Sequence, residues 1–202
     1  MSQYPCWKSD RRRMGFKVTR RNVDDESLAV TSSDFLQLCR EHFDVLYTFT
    51  IVRLARRDLV WINVTPHPTA DWIARQITEA FPWNEAPRYL IRDRDQVYGV
   101  AVRHRLQAMG IRDKRIAPRS PWQNGFAERL IGSIRRECVD HLVVLGEAHL
   151  RRILTKYATY YNELRTHRSL NKDAPIRRAI QHVGRIVSAP VLGGLHHHYC
   201  RI

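Results

Sequence analysis

Paired cysteines are what this chain most plainly lacks. Its four, Cys6, Cys39, Cys138 and Cys200, form no C-x-x-C pair, so a zinc ribbon or a thioredoxin-type redox motif has no residues to build it. No apolar run approaches the roughly 18 residues of a membrane span, and the first 25 residues are polar and basic without the apolar stretch of a signal peptide. The expectation is a cytoplasmic, intracellular protein with reduced cysteines and no membrane partner. Acidic residues are also scarce. Twenty Asp and Glu face thirty-four Lys and Arg, a formal net charge of +14 with a pI near 10.3. That balance favours polyanionic partners through the release of phosphate counterions, with nucleic acid the leading class. Ribosomal and membrane-surface proteins share it, so charge names a partner class and not a reaction.

The 202 residues, 44% hydrophobic and 27% charged, suffice for one core with tails. Residues 1–26 carry Lys8, Arg11, Arg12, Arg13, Lys17, Arg20 and Arg21 among few apolar side chains, which predicts a disordered basic arm. Residues 27–182 hold the patterned core. Within it, LAVTSSDFLQL, VLYTFTIVRL and LVWINVT read as strands, the last two joined across Ala55 to Asp58. A helix is predicted after Pro68, stopped at Pro82. Then come the strand RYLIRD, a short helix through Val102, Leu106 and Met109 that ends before Gly110, and the strand IRDKRIA. Two amphipathic helices close the core. One carries Leu130, Ile131 and Ile134, and the other carries Leu150, Ile153, Leu154, Tyr157 and Tyr161. Residues 183–202, with Gly193, Gly194 and a His196, His197, His198, Cys200 cluster, are expected to be a poorly ordered tail. The cluster has transition-metal ligands but no second group in register.

Three acids stand out against this background. Asp34 lies in the first strand run, Asp93 closes RYLIRD, and Glu128 falls in the first turn of the helix after SPWQNG. The gaps between them are 58 and 34 residues. Phosphodiester chemistry with two metal ions needs hard oxygen ligands that hold the ions about 3.5 to 4 Å apart, and carboxylates supply them. Asp95 stands beside Asp93 as a second candidate. Any one of these acids alone would read as a surface charge or a helix cap.

The flanking residues carry a resemblance. Asp93 is followed by Tyr98 and Gly99. Ser120, Pro121, Gln123, Asn124, Gly125 and Glu128 form a loop and helix start, and Tyr161, Asn162, Arg165, His167 and Leu170 follow a Y-N-x-x-R-x-H-x-x-L pattern. Over residues 28 to 180 this resembles the Asp, Asp, Glu catalytic core of retroviral integrases and insertion-sequence transposases. Asp95 stands where many members have Gly. The resemblance implies an α/β, ribonuclease H-like fold with a mixed five-stranded sheet flanked by helices. It also implies catalytic and metal-binding roles for Asp34, Asp93 and Glu128, with two Mg²⁺ or Mn²⁺ ions. The implied activity is cleavage and strand transfer of DNA by a homo-oligomer that holds element ends and target, with a separate end-recognition protein as an additional partner. A different reading is a truncated or domesticated relic that binds DNA without catalysis. A third, a nuclease for RNA and DNA hybrids, does not account for SPWQNG or YNELRTHRSL.

Candidate DNA contacts follow from the same segments. Trp122 offers a stacking surface or a lid on its own domain, and Gln123 and Asn124 offer amides for hydrogen bonds. Arg129, Arg135 and Arg136 project from the Glu128 helix, with Arg135 two turns along nearly the same face. Arg165, His167 and Arg168 end the last helix, where His167 reads equally as a helix cap.

Overall fold

In the structure, a computed structural model, residues 28–32, 38–39, 45–82 and 85–202 are described. The basic arm and Asp34 lie outside them. Strand β3 (Val45–Arg53) organises the rest. Leu46 and Val52 point into one apolar cluster while Phe49 and Ile51 point into another, the period-2 alternation of a strand covered on both faces. Its neighbours are β1 (Leu28–Ser32) and β4 (Leu59–Thr65), both antiparallel, and the two-residue β2 (Leu38–Cys39). On its other edge β1 runs parallel to β5 (Tyr89–Arg92), which runs parallel to β6 (Arg112–Arg115). Among the described residues this mixed sheet comprises six strands, where five were expected. The addition is β2, too short to show as a separate run in sequence.

Helices α1 (Ala70–Ala80) and α2 (Val100–Ala108) cover one face. Thr69 caps α1, its hydroxyl accepting a hydrogen bond from the Trp72 N–H at 3.2 Å. Ile73, Ile77, Val102 and Leu106 pack there with Phe49, Ile51 and Leu90. Gly99 permits this packing, since a Cβ on it would stand 3.1 Å from the Ala70 Cβ. The opposite face carries α3 (Gly125–Glu137) and α4 (Glu147–Thr159), whose Leu130, Ile134, Leu150, Leu154 and Tyr157 pack on Leu46, Val52, Leu59 and Val64. Cys138, fully enclosed in this cluster, has its thiol pushed up to about 11 by burial, which keeps it protonated.

The helix α4 runs into a π-helical turn, Tyr160–Leu164, closed by the Arg165 N–H donating to the Tyr160 carbonyl at 2.8 Å. The segment expected as a poorly ordered tail instead forms an antiparallel hairpin of β7 (Ile186–Val191) and β8 (His196–Arg201). Leu192, Gly193 and Gly194, at φ 53, 69 and 92, are all left-handed in its turn, a conformation the two glycines adopt without a steric cost. His196 anchors it, stacked on Tyr160 at 4.2 Å and 6°, with Nε2 2.7 Å from the main-chain oxygen of Glu137. Strand alternation therefore separates the three histidines between two faces, and among the described residues no group of three His, Cys, Asp or Glu is placed to hold a metal.

Candidate functional site

Strand β5 sets Asp93. Its pairing runs Leu28 to Tyr89, Ala29 to Leu90 and Val30 to Ile91, so β1 and β5 leave the sheet at the same edge. Asp93, half-buried, is the first residue beyond β5. Asp34 is two residues along the chain from the end of β1 and lies outside the described residues. The loop after Asp93 is built from carboxylates used as turn-formers. The Asp95 N–H donates to Asp93 Oδ1 at 3.2 Å, and the Val97 N–H donates to Asp95 Oδ1 at 3.0 Å. Below the loop, buried Arg92 grips Asp113 of β6 with two bonds of 2.8 and 2.7 Å, and its guanidinium lies 4.8 Å over the Tyr98 ring. Tyr98 itself is in the core. The aromatic five residues after Asp93 thus acts as the loop's anchor, holding the backbone on which Asp93 and Asp95 sit.

Glu128 comes from the other side of the sheet. The 3-10 turn Pro121–Asn124 and α3 both contact β1, which brings the start of this helix to the strand that precedes Asp34. Glu128 is exposed in the first turn, where the helix dipole favours a carboxylate. Gln123 folds back to fix the turn, its Oε1 accepting the Ala117 N–H at 2.8 Å. Trp122 is 55% exposed. Asn124 is buried, and its Oδ1 has no hydrogen-bond partner, an arrangement that costs free energy unless something completes it. Phe126 lies between two cations, with the guanidinium of Arg57 at 4.9 Å and that of Arg129 at 5.9 Å from its ring centre. Arg57, a left-handed residue at φ 64, also donates to the Ser169 hydroxyl. It joins the turn between β3 and β4 to the first turn of α3, and nothing local in the sequence signals a contact between positions so far apart. Arg135 and Arg136 are exposed in the last turn of α3.

The Y-N-x-x-R-x-H-x-x-L segment turns inward. Asn162 clasps Leu59 at the start of β4, accepting its N–H at 2.8 Å and donating to its carbonyl at 2.9 Å. Arg165 binds Glu137 with two bonds of 2.7 and 2.5 Å, and the Tyr157 hydroxyl donates to the same carboxylate at 3.0 Å. Burial pushes the Glu137 carboxyl up, but the Arg165 hydrogen bonds and charge outweigh it and hold the group below its usual range. His167 is buried edge-on to Tyr161 at 4.8 Å. Desolvation and the nearby Arg165 charge lower its pKa. Arg165 and His167, read from sequence as phosphate contacts, are engaged inside the protein as a brace between α3, α4 and the segment after it.

The chain is similar to known proteins in sequence and in fold. The integrase core domain family matches residues 109–175, a span that includes Glu128 and the brace. The uncharacterized 31.7 kDa protein of insertion element IS407 from Burkholderia multivorans (strain ATCC 17616 / 249) is 26% identical over 185 residues, covering 85% of this chain and 67% of that protein. In fold, the chain is similar to one in the cryo-EM structure of a simian T-cell lymphotropic virus intasome in complex with PP2A regulatory subunit B56 gamma. The TM-score is 0.63 at 13% identity, over 88% of this chain and 67% of the other. The architecture is the ribonuclease H-like α/β fold, and over residues 109–175 the chain is similar to the integrase core domain.

Proposed function

We propose that the chain cleaves and joins DNA phosphodiesters through Asp34, Asp93 and Glu128. The observation that carries this reading is the parallel pairing of β1 and β5, with Asp93 directly after β5 and the turn feeding Glu128 resting against β1. The donors are all carboxylate oxygens, the set that suits Mg²⁺ or Mn²⁺ and not zinc. Two such ions, when bound, would supply Lewis-acid activation of a water or a DNA 3′ hydroxyl and would stabilise the leaving oxygen. The protein's part is to hold the carboxylates: the Arg92 and Tyr98 anchor fixes the backbone under Asp93, and the Gln123 and Arg57 contacts fix the start of α3 under Glu128. Trp122, Arg129 and Arg135 offer DNA a stacking surface and phosphate contacts, and Asn124 Oδ1 supplies an acceptor that bound substrate would complete. Gln123 keeps its amide N–H₂ for the same purpose while its oxygen holds the turn. As in a polynucleotidyl transferase, no covalent enzyme intermediate is required. DNA ends and target are the substrates, and a homo-oligomer is the acting form.

The test is nicking and strand transfer on labelled duplex DNA in Mg²⁺ or Mn²⁺ with two neighbouring substitutions. Asp93→Asn abolishes activity, whereas Asp95→Asn, which alters a turn-forming carboxylate, retains a substantial fraction. The reverse pattern would move the site to Asp95, and wild-type inactivity with intact DNA binding would favour the non-catalytic relic.

A further inference from the structure

The hairpin and the chain leading into it enclose a groove of about 1110 Å³. One wall is the segment from Leu170 to Gln181 and the other is β8 with the start of β7. Five Lys or Arg side chains line it against two carboxylates, Glu163 and Asp173. Asp173 is already neutralised. Arg56 donates to its Oδ2 at 2.7 Å and to the carbonyls of Pro175 and Ala174 at 2.6 and 2.8 Å. Arg201 is oriented by its own bond to the Gly184 carbonyl at 2.8 Å. Lys172 and Arg177 are exposed and make no side-chain hydrogen bond or ion pair among the described residues. Lys172 stands on an unusual turn. It and Asn171 are both left-handed, at φ 54 and 63 in chain order, and the turn is closed by the Lys172 N–H to the His167 carbonyl and the Asp173 N–H to that of Leu170, each 3.0 Å. Strain of this kind in residues other than glycine marks a position held by its surroundings. Beside these cations Tyr199 is 67% exposed, its ring 6.4 Å from His197.

We infer that this groove is a nucleic-acid track separate from the carboxylate edge, in which Lys172, Arg177 and Arg201 take backbone phosphates and Tyr199 stacks on an unpaired base. Cations on a groove wall with an exposed aromatic between them are what a sequence-tolerant single-strand site requires. The excess of cations over carboxylates favours a polyanion over a protein partner, although Ile176 and Ile186 add apolar surface to the rim. The track depends on the proposed function only for the identity of the polymer as DNA.

The test uses the full chain and a fluorescein-labelled DNA oligonucleotide, single-stranded and as a duplex, with affinity measured across a salt series. Lys172→Gln with Arg177→Gln touches no internal bond described above, so folding is retained and checked by circular dichroism. The pair should make the log affinity against log salt slope for the single strand shallower by roughly one to one and a half. Tyr199→Ser should weaken single-strand binding about tenfold or more with the slope unchanged, and should affect the duplex less. An unchanged slope in the double variant overturns the proposal, as does a loss that ignores salt, which would mark the groove as a protein-docking surface. Nicking on the same samples separates the two readings. A responsive slope without wild-type nicking keeps the track and removes the catalysis, whereas nicking with an unresponsive slope does the opposite.

Discussion

Between Ser120 and Glu128 the side chains of Trp122, Gln123 and Glu128 are exposed, whereas between Tyr161 and Leu170 those of Asn162, Arg165 and His167 are spent on internal bonds. Both segments are polar and both belong to the resemblance. They differ in where their partners lie. Gln123 bonds six residues away, within its own turn. Arg165 finds Glu137 at the far end of α3, and Asn162 finds Leu59 more than a hundred residues earlier. A polar motif that closes on itself leaves its remaining groups for a ligand, while one that reaches across the chain joins the scaffold. The second kind still serves the first, because the brace fixes α3, and α3 carries Glu128.

Substitutions at the two segments should therefore fail in different ways. The largest effect is expected for Glu128→Gln, which should reduce nicking at least about a thousandfold, on the order of 4 kcal/mol of barrier, with the melting temperature held. Next is Arg165→Ala. It strips a half-buried carboxylate of its partner and should cost about 2 to 3 kcal/mol, lowering the melting temperature by on the order of 5 to 10 °C. Its folded fraction should still bind DNA with unchanged salt dependence. Finding the stability loss at Glu128 and the catalytic loss without destabilisation at Arg165 would abolish the distinction. A smaller loss, about 1 to 2 kcal/mol in urea unfolding, is expected for Asn162→Ala, which removes both bonds to Leu59.

The smallest effect concerns pH. The His167 pKa is lowered in the fold from an ordinary 6.5, so below that value the unfolded chain binds the proton first and stability declines as pH falls. Above 6.5 the contribution is fully present. Glu137, also lowered, adds a further decline below its ordinary 4.5. Unfolding measured from pH 7.5 to 5 should show the first decline, and His167→Gln should flatten it. A profile identical in wild type and variant would assign the decline elsewhere.

Much of this was legible in the chain. The Val, Ile, Thr and aromatic run VLYTFTIVRL predicts a strand, and the stripe of Leu130, Ile134 and Cys138 predicts a helix packed on the sheet. Both are local patterns, set by the geometry of two residues per pleat and 3.6 per turn. The hairpin at the C-terminus was missed because its stability does not come from such a pattern. Exposed positions outnumber buried ones along β7 and β8, and it is fastened by His196 stacking on Tyr160 and bonding at Glu137. The inward turn of Arg165 and His167 was missed for a related reason: nothing in a sequence distinguishes an arginine awaiting phosphate from one whose carboxylate is 28 residues away.

The sequence by itself determined the positive charge, the order of the main strands and helices between Leu28 and Tyr161, and the spacing of three acids, because composition, periodicity and spacing are properties of the chain as written. Only the tertiary structure decided which polar groups face outward and which become bracing, since that depends on which partner each meets once the chain has closed. Desolvation drives the choice: a guanidinium folded against the core must find a carboxylate there, and Arg165 finds Glu137.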